Sequence, residues 1–169
     1  HTPLQLGVSG KYQGAPFTLV GRLQYRYAEG TWNEWHALFE SGPDLQKSGW
    51  LSEDNGHYVV AFDAPLTTPL PPAENLRPGA PLTVNGQSWS VGSVVAAKLI
   101  AAEGESIAGP TFKIGNTNSR IRFASGPAEL FDAWCAHGPT HHVALGVGYQ
   151  LSRVRKIADL LGLGLAVVE

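Results

Sequence analysis

Two Asn-Gly pairs, Asn55-Gly56 and Asn85-Gly86, each sit between runs of alternating apolar residues. Asn-Gly supplies the positive φ angles of a two-residue turn whose twist matches its flanking strands, so each pair predicts a tight β-hairpin. Around the first, "SGWLSEDNGHYVVAFD" gives two strand-like pieces. Around the second, "PLTVNGQSWSVGSVVAAKLIAA" does the same. Upstream, "PFTLVGRLQYRY" alternates Phe17 and Leu19, then Leu23, Tyr25 and Tyr27, with Gly21 read as a bulge or bend. "WNEWHALFES" alternates less cleanly. Residues 16–63 therefore read as an antiparallel meander.

The proline-dense stretch 64–81 lacks ladder donors and reads as a loop, either a surface crossing within one domain or a linker. A faint echo spans it. Leu4 and Leu76, Gly7 and Gly79, Gly14 and Gly86, and Phe17 and Trp89 each stand 72 residues apart. Either a hairpin is duplicated, or two glycine-turned hairpins share this spacing by their nature. After residue 105 the pattern changes. "GPAELFDAWCAH" opens on Pro127 and places Leu130, Phe131, Trp134 and Cys135 on one helical face. "VALGVGY" reads as a strand. "LSRVRKIADLLG" carries a helical stripe that stops at Gly162, and "LGLAVV" closes as a strand. The expected fold is β-dominated α+β. A small antiparallel barrel or curled sheet over 1–105 is followed by a 106–169 segment with two helices and short strands.

A hydrophobic fraction of 43% over 169 residues supports a packed core. A net charge of −2 speaks against a nucleic-acid partner, which needs a basic face. No apolar run reaches 18 residues, so no membrane insertion is expected. The start, "HTPLQLG", lacks a signal-peptide pattern, and the absence of methionine reads as a trimmed or processed piece of a longer chain. The lone Cys135 cannot close an intrachain disulfide, which fits a cytoplasmic location.

No phosphate loop, nucleophile elbow or Cys-x-x-Cys pair is present. Three stretches carry possible chemistry. Trp32, Trp35 and Trp50 lie near Glu34, Glu40, Glu53 and Asp54. They could form a sugar groove with paired carboxylates, or serve as core anchors beside an ordinary turn. "NTNSR", residues 116–120, packs hydrogen-bonding side chains in a row, which suits an oxygen-rich ligand or an Asx-rich turn. His141 and His142 start an alternating strand and so should face opposite ways. His141 shares parity with Val143, Leu145 and Val147, and His142 does not.

Two resemblances cover different parts of the chain. "FTLVGRLQYRY", "GTWNEWHALFESG", "SGWLSEDNGHYVVAFD" and "SWSVGSVVAAKLIAAEGE" resemble the uncharacterised bacterial domain of unknown function number four-one-seven-eight, over residues 4–105. That resemblance implies a β-rich cytoplasmic module of no established activity. From about 103 to 169, "AEGESIAGP", "KIGNTNSRIRF", "GPTHHVALGVG" and "IADLLGL" resemble the C-terminal end of the L-arabinose and L-fucose isomerase superfamily. This implies His142 as one ligand of a catalytic Mn2+, with Asn116, Asn118 and Arg120 along the polyol. The superfamily's other ligands have no match here. The expected function is a non-enzymatic binding or scaffolding module that needs no cofactor and works beside other domains of a longer chain. The alternative is a fragment of a metal-dependent aldose–ketose isomerase, inactive alone. A fusion at "AAEGES" would account for the joint.

Overall fold

The computed structural model describes residues 4–40, 46–54, 56–63, 67, 69–105, 114–115, 117–124, 132–137 and 142–150. Residues 132–137 and 142–150 are described through their backbone alone. Among the described residues ten antiparallel strands run β1 (Ser9–Tyr12), β2 (Ala15–Tyr27), β3 (Gly30–Glu40), β4 (Gln46–Asp54), β5 (His57–Asp63), β6 (Pro81–Val84), β7 (Gln87–Gly104), β8 (Thr117–Ala124), β9 (Asp132–His137) and β10 (His142–Gln150). A short 3-10 turn, Ala73–Asn75, lies in the proline-dense stretch. The sheet order is β1-β2-β3-β4-β5-β10-β9-β8-β7-β6, with a further ladder between β2 and β7. The sheet keeps edge strands β1 and β6, so it is a curled sheet and not a closed barrel. The β2–β7 ladder draws its two halves together around a shared interior. Pro81 opens an edge strand, where a missing donor costs no internal ladder bond.

The meander over 16–63 forms as β2 to β5, and a hairpin turns at each Asn-Gly position, with Asn55 itself outside the described residues. Asp54 pairs with His57 around Gly56 at φ 82°, and Val84 pairs with Gln87 around Asn85 at 49° and Gly86 at 79°. β3 alternates poorly because both of its faces are buried.

One part of the expected fold is corrected. The helix over "GPAELFDAWCAH" is not formed from Asp132 onward. Trp134 and Cys135 lie in β9, which pairs with β8 on one side and β10 on the other. Ladders on both sides outweigh a short helical apolar pattern, which a buried strand can mimic. The second helix, over 151–161, and the closing strand lie outside the described residues. Strands from both sides of the 105/106 division share the one sheet.

The 72-residue echo is a structural repeat. β1, its turn and the start of β2 correspond in register to β6, its turn and the start of β7. Gln13 and Asn85 have φ 50° and 49°, Gly14 and Gly86 have 80° and 79°, and Gly7 and Gly79 have 85° and 86°. The Gly7 amide donates to Leu19 O at 2.8 Å, and the Gly79 amide donates to Val91 O at 2.7 Å. The Leu19 and Val91 amides donate back to Val8 O and Ala80 O, each at 2.9 Å. Even the bulges coincide, between Leu19 and Gly21 in β2 and between Val91 and Ser93 in β7. Arg26 pairs with Lys98, its own counterpart 72 residues on. An approximate two-fold axis therefore passes through that pair and relates β1–β5 to β6–β10.

The bulges decide where side chains go. In an unbroken strand, residues two apart share a face. An extra residue moves everything after it to the other face. Phe17 and Leu19 thus pack in an outer cluster with Leu4, Tyr12, Trp35 and Ala37, while Leu23 and Tyr25 pack in the interior. The other half repeats this: Trp89 and Val91 join Leu76, Val84, Ile121 and Phe123 in a second outer cluster. The interior cluster holds Leu23, Tyr25, Trp32, Trp50, Val59, Ala61, Ala97 and Leu99, drawn from both halves. Among the described residues, no helix is long and apolar enough to cross a membrane.

Candidate functional site

The registers place two charged residues deep in this interior. Leu23 pairs with Glu34, and Val95, its counterpart in β7, pairs with Arg120. Glu34 is 1% exposed and Arg120 5%. The Arg120 guanidinium donates to both Glu34 carboxylate oxygens, at 2.7 Å to Oε2 and closer still to Oε1. Its Cζ lies 4.9 Å from the Tyr25 ring centroid and 5.9 Å from that of Trp32, and those two rings stack at 5.3 Å. A cation buried this deeply needs both a counter-charge and polarisable neighbours, and Arg120 has both. Burial, then the Glu34 charge, raises the pKa of the Tyr25 hydroxyl well above its ordinary value, while Arg120 pulls the other way.

Beside this pair is a cavity of about 120 Å³ at one end of the interior. The β2–β3 and β4–β5 turns bring Tyr27, Trp32, Asp54 and His57 to its rim. The bulged part of β7 supplies Ser93 and Val95, and β8 supplies Arg120 and Arg122. The Tyr27 hydroxyl donates to Asp54 Oδ2 at 2.9 Å, and its ring meets Trp32 edge-on at 4.8 Å. Partial burial, then the bond to Asp54 and that carboxylate's charge, pushes the Tyr27 pKa up to about 12. Arg122 donates to His57 Nε2. A guanidinium only donates, so Nε2 accepts and the imidazole proton sits on Nδ1.

The interior's other end is filled. His36, the counterpart of Arg122, stacks on Trp50 at 5.1 Å. Its Nδ1 donates to Glu105 O and its Nε2 accepts from the Ser48 hydroxyl, both at 2.9 Å. This is a satisfied core histidine.

The carboxylate groove is not assembled. Trp32, Trp35 and Trp50 are core anchors. Glu34 is held by Arg120 and Asp54 by Tyr27. Glu53 accepts from Asn33 Nδ2 and Trp35 Nε1, each at 3.1 Å, on the sheet's outer face. Of the row 116–120, Asn116 lies outside the described residues. Asn118 is placed by backbone opposite Ala97, its side chain undescribed. Arg120 lines the cavity while bonded to Glu34. His142 opens β10 opposite Ala136, with its side chain also outside the described residues, as is His141.

Sequence reasoning singled out Arg120 for a polyol and did not find its partner, or the Arg122–His57 pair. The one available signal was parity: Arg120 and Arg122 alternate with apolar Ile121 and Phe123 in "SRIRF".

Among known proteins, the model of one family, described as a domain of unknown function (DUF4178), matches residues 5–118. No curated protein and no solved structure matches the chain. The isomerase-like resemblance of the tail finds no match of its own. The matched span runs from the segment preceding β1 to the start of β8, covering both bulged strands and the ladder between them, and so the chain belongs to the DUF4178 family.

Proposed function

We propose that the chain is a non-enzymatic ligand-binding module whose site is the cavity beside Tyr27, Trp32, His57 and Arg122. The observation that carries this is the cavity's lining. Elsewhere the interior is filled, with Glu34 and His36 each bonded among apolar side chains, but here Ser52, Asp54, His57, Ser93 and Arg122 gather around open space together with Trp32, Val59 and Val95. A mostly apolar hollow with a few convergent polar groups is the usual form of a small-molecule site. A fold under pressure for stability alone would fill a hollow of this size, because empty volume forgoes packing contacts.

The test is an NMR titration with small amphipathic probes, benzyl alcohol first, following the Trp32 indole resonance. Binding should shift that resonance in the wild type and not in Val95→Trp, whose side chain would fill the cavity. A screen of single-ring probes that leaves the Trp32 resonance unmoved would end this reading.

A further inference from the structure

We infer that the cavity takes an uncharged compound of about one ring bearing a hydroxyl group, its ring against Trp32, Val59 and Val95 and its hydrogen bonds supplied by the hydroxyls of Ser52 and Ser93. This rests on the cavity being the binding site and adds the class of ligand. The registers aim both serines inward. Ser52 pairs with Glu34 on one side and with Val59 on the other, and Ser93 pairs with Arg122. Directly paired residues share a face of the sheet. Both serines therefore stand on the interior face, and both line the cavity. Neither hydroxyl is hydrogen-bonded to another side chain or to the backbone among the described residues. A hydroxyl gives one hydrogen bond and takes two. Such a wall suits a ligand group that does the same, and another hydroxyl is that group.

The charges in the wall oppose an ion of either sign. Asp54 and Arg122 line the same hollow. An anion drawn to Arg122 meets the Asp54 carboxylate, and a cation drawn to Asp54 meets the Arg122 guanidinium. Arg120 adds no net charge, since Glu34 matches it. Val59, Val95 and the Trp32 ring give an ion nothing to replace its hydration. An uncharged ligand avoids both costs. Size sets the upper bound. The hollow is about 120 Å³, somewhat smaller than the roughly 150 Å³ cavity that accommodates one benzene ring. The repeat adds an independent argument. At the filled end of the interior, the positions equivalent to Ser93 and Val95 are Gly21 and Leu23. One half of a repeated fold has a larger aliphatic side chain there and no hydroxyl. The other has the smaller valine, the added hydroxyl and the open hollow.

The full chain is titrated at pH 7 with benzyl alcohol, toluene, benzoate and benzylamine, which share a ring and differ in what it carries, reading the Trp32 indole resonance. Benzyl alcohol should give a saturable shift, and benzoate and benzylamine should each bind about tenfold more weakly or worse, because an ion loses its hydration in the site. Toluene should bind about fivefold more weakly than benzyl alcohol, the worth of one hydrogen bond. In Ser52→Ala combined with Ser93→Ala, benzyl alcohol should lose its advantage over toluene. Comparing two ligands within one variant separates the loss of the hydroxyls from any change in the fold. Benzoate or benzylamine binding as tightly as benzyl alcohol would overturn the uncharged class. A preference for benzyl alcohol over toluene that is absent in the wild type, or unchanged in the serine variant, would overturn the hydroxyl assignment. Either result leaves the cavity as a site. Failure of all four compounds to move the resonance would overturn both the ligand class and the site.

Discussion

Glu34 and Arg120 occupy equivalent positions in the two halves of the sheet, and they are bonded to each other across its interior. An approximate two-fold axis relates the residues, so an identical pair of halves would set Glu against Glu or Arg against Arg. Halves that differ in sequence at the two positions, as in this single chain, make the ion pair possible.

Removing one member of the pair should therefore cost more than exchanging the two. Glu34→Ala leaves the guanidinium buried without its counter-charge, a loss of about 3–5 kcal/mol. The swap Glu34→Arg with Arg120→Glu restores opposite charges at matched backbone positions. It should recover more than half of that loss, but not all, since Tyr25 and Trp32 would no longer flank the cation. Urea denaturation of the two single variants and the swap measures this. A swap no more stable than the worse single variant would contradict the equivalence of the positions.

The glycines should separate into two groups. Gly86 has φ 79°, and a Cβ there would meet nothing within 4 Å. Gly86→Ala thus carries the backbone penalty alone, about 1–2 kcal/mol. Gly104, at φ 68°, pairs with Gly21, and its Cβ would lie 2.3 Å from Val20 O. Gly104→Ala should cost more than about 2 kcal/mol, because a backbone clash adds to the same penalty. Thermal melting of the two variants should show the larger drop for Gly104→Ala.

Gly49 has a different role. A Cβ there would come within 2.7 Å of Phe39 Cε2 and 3.0 Å of Phe62 Cε1. The two rings pack over it, 5.2 Å apart. Gly49→Ala should push them apart and destabilise by about 1–3 kcal/mol, and Gly49→Ala combined with Phe39→Leu should lose less than the two single changes summed. Additivity, measured as a double-mutant cycle, would show that the contact does not matter.

Alkaline titration should find tyrosines held back. Tyr27 shifts from an ordinary 10.0 to about 12. Burial, then the Glu53 charge, also raises Tyr58. A hydroxyl whose folded pKa lies above its unfolded one contributes stability that is complete below about pH 10 and is lost as pH rises through the folded value. Stability should therefore begin to fall near pH 10. Phenolate absorbance at pH 11 should show fewer than all five tyrosines of the chain ionised. Asp54→Asn should bring Tyr27 down, because the raising charge is gone. Full ionisation by pH 11 in the folded state would contradict these environments.

The hairpins were legible in the sequence because they are local. A two-residue turn needs positive φ at both positions, Asn-Gly provides it, and strand alternation on each side fixes the register. Even the bend at Gly21 was visible, since a glycine interrupts the apolar alternation there. Tertiary structure decided everything that depends on pairing at a distance. Trp134 and Cys135 fit a helical face until β8 and β10 supply ladder partners on both sides. The 72-residue echo fits two unrelated hairpins until Arg26 pairs with Lys98. Nothing in "GTWNEW" or "NTNSRIRF" reveals that Glu34 meets Arg120. They stand 86 residues apart, and what brings them together is the fold's own symmetry, set by paired bulges whose effect on side-chain direction appears only once the strands are in register.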